Sequence, residues 1–171
     1  GVKALRIGAG SDENVQIGPM ASEVHMNRVL KYIETGLKEG ATLACGGKRA
    51  MGKGLKNGFF IEPTVFTNVT NDMSIVQEEI FGPVLTVQKF KTEEEAIELA
   101  NSTSYGLAAG IFTSDGARAI RMARAIDCGT IYVNNYFYAV NEAPSSALKK
   151  SGIAQEMGVL GLEGYTKIKQ V

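Results

Sequence analysis

The sequence predicts an α/β fold, a mainly parallel sheet with crossover helices, on two observations. Segments with helical apolar spacing alternate along the chain with short runs rich in β-branched and aromatic residues. A helix between two strands is the usual crossover that makes those strands parallel neighbours. Size agrees, since 171 residues at 44% hydrophobic and 21% charged can bury a sizeable core.

Met26, Val29, Leu30, Ile33 and Leu37 recur every three or four residues and share a helical stripe, while Lys31, Glu34, Lys38 and Glu39 take other faces. Pro19 can open this region and Gly40 can close it. Strand-like runs follow at Thr42 to Cys45 and Phe59 to Phe66, and Pro63 inside the second predicts an edge strand or a bend. Between them the glycine-rich stretch Gly46 to Gly58 reads as a mobile surface loop. Val84 to Phe90 is the next strand. Thr92-Glu93-Glu94-Glu95 then has capping-box spacing, with the Thr92 hydroxyl on the Glu95 amide and the Glu95 carboxylate reaching back, ahead of Ala96, Ile97, Leu99 and Ala100. Ala108 to Phe112 is a strand. A third helix runs from about Asp115 to Asp127, with Ala119, Ile120, Ala123 and Ile126 facing inward and Gly129 as its stop. Thr130 to Asn134 is the last of these strands. Tyr165 to Val171 has β character and no partner nearby in sequence, so it should pair elsewhere in the molecule or with another subunit.

Eighteen basic side chains balance eighteen acidic ones, so no long-range field draws in nucleic acid or an anionic membrane. Apolar runs fall short of the ~20 residues of a bilayer span, and the first residues do not read as a signal peptide. The expectation is a cytoplasmic enzyme. Cys45 and Cys128 are isolated, which suits a reducing compartment and argues against a structural metal site.

Gln77-Glu78-Glu79-Ile80-Phe81-Gly82-Pro83-Val84 carries the most chemistry. Two adjacent carboxylates run into a turn in which glycine permits unusual backbone angles and proline restricts them. Such a turn can hold an acid and a ring against a ligand; read alone, spacing favours Glu79 as a solvated acid and Phe81 as a core ring. The order EEIFGPV resembles a signature of aldehyde dehydrogenases. Ile17 to Met20, Gly40 to Gly47, Phe60 to Val65, Asn101 to Ala109, Gly129 to Asn134, Ser151 to Ile153 and Gly161 to Thr166 are similar to the carboxy-terminal third of that family, in order and across essentially the whole chain.

The resemblance implies a partial catalytic domain over 1–145 and a tail over 146–171 that ends in an oligomerisation strand, hence a homo-oligomer. It implies NAD(P)-dependent oxidation of an aldehyde to a carboxylic acid: a cysteine thiolate forms a thiohemiacetal, amide donors hold the oxyanion, and a glutamate activates water. The nucleophilic cysteine, that glutamate and the glycine-rich cofactor fold would all precede Gly1, so the isolated chain should be inactive. Cys45 in Ala44-Cys45-Gly46-Gly47 and Cys128 before its strand lack the family's nucleophile motif and read as small packing residues.

For the cofactor, NAD or NADP, the resemblance gives Glu79 both hydroxyls of the nicotinamide ribose, which suits an acceptor-only carboxylate, and places Phe81 near the nicotinamide. His25 and Arg28 fall near positions that approach the ribose and phosphates, though both also read as surface residues of a charged helix. Glu156 corresponds to a proton-relay glutamate, a role that suits a buried carboxylate with a raised pKa; the alternative is an ion-paired or helix-terminal acid. Asn134, Phe137, Ala139 and Ser145 correspond to the wall of the substrate tunnel, with Asn134 alternatively a turn-stabilising amide and Tyr136, Phe137 and Tyr138 alternatively ordinary packing. Ser145-Ser146-Ala147-Leu148-Lys149 departs from the family's aromatic, Gly-Gly, bulky residue, Lys pattern, so no subfamily's aldehyde specificity transfers. Two other functions fit the same residues: a non-enzymatic assembly module of this fold, and an autonomous nucleotide-binding domain.

Overall fold

The structure, a computed structural model, describes residues 1–52, 54–138 and 140–171. Its backbone divides into two compact units, Gly1–Lys89 and Phe90–Val171. This division differs from the 145/146 partition, which rests on the resemblance rather than on compactness.

In the first unit, helix α1 (Glu23–Lys38) starts at Ser22, whose hydroxyl accepts the His25 amide at 3.1 Å. A serine side chain satisfies an orphan amide of the first turn, which Pro19 cannot do. The helix stops before Gly40, at φ 97°, a left-handed conformation that glycine adopts without steric cost. Met26, Val29 and Ile33 are buried as the periodicity predicts, but Leu37 is 46% exposed. Gly36 takes the inward place instead. A Cβ there would lie 2.7 Å from Ile75 Cδ1, so its absence lets the short helix α2 (Ser74–Gln77) seat against α1. The Glu39 carboxylate fixes that approach by accepting both the amide and the hydroxyl of Ser74.

Strands β1 (Thr42–Cys45), β2 (Thr64–Thr67) and β3 (Val84–Thr86) form one sheet in that order. β1 and β2 are antiparallel, β2 and β3 parallel with α2 in the crossover. Pro63 lies just before β2 rather than inside it, so β2 keeps its ladder as the central strand instead of an edge; the β1–β2 register shifts between Leu43 and Cys45. The core gathers Met26, Val29, Ile33, Ile61, Phe66, Ile75 and Ile80. Each such side chain contributes about 1.5–3 kcal/mol when fully buried. The glycine-rich stretch expected to be a mobile loop is tied at its base: Ala50 N–H donates to the Phe60 carbonyl, and Arg49 Nη2 donates to the Lys56 and Gly58 carbonyls.

The second unit carries α3 (Glu93–Asn101), β4 (Tyr105–Gly106), β5 (Ala108–Ile111), α4 (Gly116–Ala125) and β6 (Thr130–Val133), followed by β7 (Ser145–Ser146), β8 (Leu148–Lys149), β9 (Gln155–Glu156) and α5 (Gly158–Glu163). β5 and β6 are parallel with α4 as their crossover, whereas β4–β8 and β7–β9 are short antiparallel pairs. The α/β class therefore holds, with parallel pairs joined by helices. Thr92 caps α3 as predicted, but the Glu95 carboxylate reaches past the cap to the Lys91 amide at 2.7 Å. Asp115 caps α4 by accepting the Arg118 amide. Ala119 and Ile126 are buried on its inner face, while Ile120 is 58% exposed. One residue along a helix is about 100° around it, and half-buried Met122 completes the stripe instead. Tyr165 to Val171, expected as a strand, forms no ladder among the described residues; the Tyr165 and Thr166 amides instead continue the turn after α5, donating to the Leu162 and Glu163 carbonyls.

Candidate functional site

The turn from Glu78 to Gly82 is set against α1 by apolar depth and polar rungs together. Ile80 enters the core, and a Cβ on Gly82 would lie 2.7 Å from Val29 Cγ2. His25 Nε2 lies 2.7 Å from the Phe81 carbonyl, Arg28 Nη2 donates to the Glu79 carbonyl at 3.0 Å, and the Tyr32 hydroxyl donates to Glu78 Oε2 at 2.6 Å. The bond to Glu78, followed by burial, raises the Tyr32 phenol above its ordinary value and keeps it a donor. The unusual backbone angle falls on Phe81, at φ 56°, not on the neighbouring glycine. Gly82 serves close approach rather than backbone freedom.

What the helix leaves uncovered is the pair singled out in the sequence. The Phe81 ring is 71% exposed. The exposed Glu79 carboxylate makes no hydrogen bond or ion pair among the described residues, because Arg28 engages its backbone. An unengaged, acceptor-only group beside an exposed ring fits a ligand that offers paired hydroxyls and a flat face. His25 and Arg28 act on the turn backbone, a role that their spacing on one helix face hints at but whose partner only the fold supplies.

In the second unit the predicted residues are brought together unequally. Asn134 accepts the Thr113 amide and donates to the Thr113 carbonyl, both at 2.9 Å, so its amide stabilises a turn. Tyr136 packs on Tyr132 at 5.3 Å between ring centroids, while Phe137 is 87% exposed. Ala139 lies outside the described residues. Ser145 in β7 stands opposite Glu156 in β9, and its hydroxyl is 3.3 Å from that of Thr130. Glu156 is exposed rather than buried, because β9 is a two-residue strand that contributes one edge of a small ladder. Asn134 and Phe137 have φ 54° and 64°, and Met157, beside Glu156, has φ 62°. Left-handed backbone at non-glycine residues gathers at functional sites more than elsewhere, a signal that residue types do not carry.

Burial pushes the Cys128 thiol up, which keeps it protonated and weakly nucleophilic. Among the described residues no cluster could hold a metal ion, and no helix is long and apolar enough to cross a membrane.

The model of the aldehyde dehydrogenase family matches residues 1–171. The betaine aldehyde dehydrogenase of Bacillus subtilis (strain 168) is 46% identical over 169 residues, covering 99% of this chain and 34% of its own length. An aldehyde dehydrogenase of Aspergillus niger is 52% identical over 154 residues, covering 90% of this chain and 30% of its own. A crystal structure of betaine aldehyde dehydrogenase from Staphylococcus aureus in complex with NAD+ superposes with a TM-score of 0.92 at 46% identity, over 96% of this chain and 33% of that one. The chain thus spans about a third of the length of the relatives it matches. A whole-chain family match, a shared backbone and an Ile80-anchored turn that exposes Glu79 and Phe81 agree: the chain belongs to the aldehyde dehydrogenase family.

Proposed function

We propose that this chain forms the nicotinamide-ribose wall of an NAD(P)-dependent aldehyde dehydrogenase that oxidises an aldehyde to a carboxylic acid through a cysteine thiohemiacetal. The unengaged Glu79 carboxylate beside the exposed Phe81 ring, on a turn anchored to α1, is the observation that carries this reading. The NAD+ complex of the Staphylococcus aureus relative supports it. NAD or NADP, when bound, accepts the hydride from the substrate carbon. Glu79 holds the ribose by its hydroxyls, and Phe81 covers the ring and keeps water from it.

Neither Cys45 nor Cys128 is the nucleophile in this reading, so the isolated chain is inactive. Phe137 and Ser145 line the aldehyde's path, and Asn134 holds the loop that presents them. Glu156 relays protons once further protein covers it. The assembled enzyme is a cytoplasmic homo-oligomer, a setting that suits the two free thiols.

The test fuses this chain to the remaining two thirds of the Bacillus subtilis relative. NAD-dependent aldehyde oxidation is expected in the fusion and not in the chain alone. Glu79→Gln should raise the KM for NAD roughly tenfold, the scale of a lost hydrogen bond to a charged group. An unchanged KM would remove Glu79 from the cofactor site. Turnover by the isolated chain with both cysteines replaced would overturn the assignment of the nucleophile elsewhere.

A further inference from the structure

We propose that His25 and Arg28 are positioning residues that fix the direction in which the Phe81 ring and the Glu79 carboxylate leave their turn. The role rests on the cofactor reading above, but its geometry stands apart from it. Buried Ile80 and the Gly82–Val29 contact set how deeply the turn sits on α1. The ends of the turn are held by the Tyr32 hydroxyl on the Glu78 carboxylate and by the Thr64 N–H on the Pro83 carbonyl, which leaves Glu79 to Phe81 to be fixed between them. Two polar rungs on either side of Ile80 hold this middle part: the 2.7 Å contact from His25 Nε2 to the Phe81 carbonyl, and the 3.0 Å bond from Arg28 Nη2 to the Glu79 carbonyl. Residues three apart share a helix face, so α1 presents both donors together.

Phe81 is the residue that needs such a hold. An aromatic residue at φ 56° persists only where its surroundings over-determine it. The ring does not enter the core, being 71% exposed, and its ring contact is with His25, 6.3 Å between centroids, so burial in the core does not supply the constraint. Its carbonyl, held by His25, does. The imidazole must carry its proton on Nε2 to donate, in either the neutral or the charged ring.

The test is NMR on the isotopically labelled 171-residue chain without any cofactor. A left-handed φ brings a residue's own amide proton and Hα close, so Phe81 should show a strong intraresidue cross-peak. His25→Ala should weaken it, and His25→Gln, which keeps an amide donor, should retain it. Arg28→Ala should displace the Glu79 and Ile80 amide signals, and Arg28→Lys should displace them less. Unchanged Val29 and Ile33 methyl signals would show that the core is intact. A purely stabilising role would lower the urea midpoint and leave the Phe81 cross-peak strong in folded His25→Ala, which would overturn the proposal, as would its loss in His25→Gln. Should His25→Ala not fold, the Arg28 pair and His25→Gln decide in the same way. Because no NAD enters the measurement, this proposal can fail while the Glu79→Gln effect stands, and the reverse.

Discussion

Gly82 matters for the atom it lacks. A Cβ would meet Val29 at 2.7 and 2.8 Å from its two γ-carbons, and Val29 is fully buried with no room to swing away. Gly82→Ala must therefore lift the turn or distort α1. The expected cost is about 1–3 kcal/mol, read as a lower urea midpoint at unchanged m-value. Val29→Ala in the same chain should recover part of the loss, a coupling between contacting residues that distant pairs do not show. The sequence marked Gly82 as a turn residue for its backbone freedom, whereas the fold uses its small size and leaves the left-handed angle to Phe81. Steric fit against a residue more than fifty positions away in the chain is not written in a local motif. The turn that carries Glu79 and Phe81 was legible as a turn because it lies in one contiguous segment; the hydrogen bonds of His25 and Arg28 to it, from residues remote in sequence, are set only by the fold.

Between α3 and α4 the cohesive group is Glu93, whose carboxylate accepts from Arg121 at 2.9 and 3.0 Å and from Arg118 at 3.2 Å. The Arg121 hydrogen bonds are the main reason its pKa lies below the ordinary 4.5, with Arg118 adding to them. A carboxylate whose pKa falls on folding adds stability that is complete above the unfolded value and disappears as pH falls through the folded one. The thermal midpoint of Glu93→Gln should thus lie below that of the unaltered chain at neutral pH, and the two should converge as pH falls below the lowered folded value. A gap that persists at low pH would mean that shape, not charge, joins the helices. Helix positions and caps were readable here because capping is a local event. Ile120 was misplaced because helical phase, in a stretch with apolar residues on neighbouring positions, is settled by what lies across from it.

Over the whole chain, apolar surface is left open in both units, at Phe81 in the first and at Phe137, Ile153, Tyr165 and Ile168 in the second. Exposed patches of this kind favour association. Sedimentation of the 171-residue chain should show reversible self-association that grows through the micromolar range; a monomer throughout would contradict the expectation. Family and fold class were readable from ordered motifs, but the exposure of Glu156 and the unpaired Tyr165–Val171 segment were not, since burial and pairing depend on partners that lie outside those motifs. The ladder from α1 to the turn has one more implication, for insertions and deletions. His25, Arg28 and Tyr32 are matched to the turn by spacing, so removing one residue between Ser22 and His25 would swing them about 100° relative to the helix start. Every rung side chain would survive such a change, yet the rungs would be thrown out of phase together: along this stretch the chain is constrained in its length as strictly as in its composition.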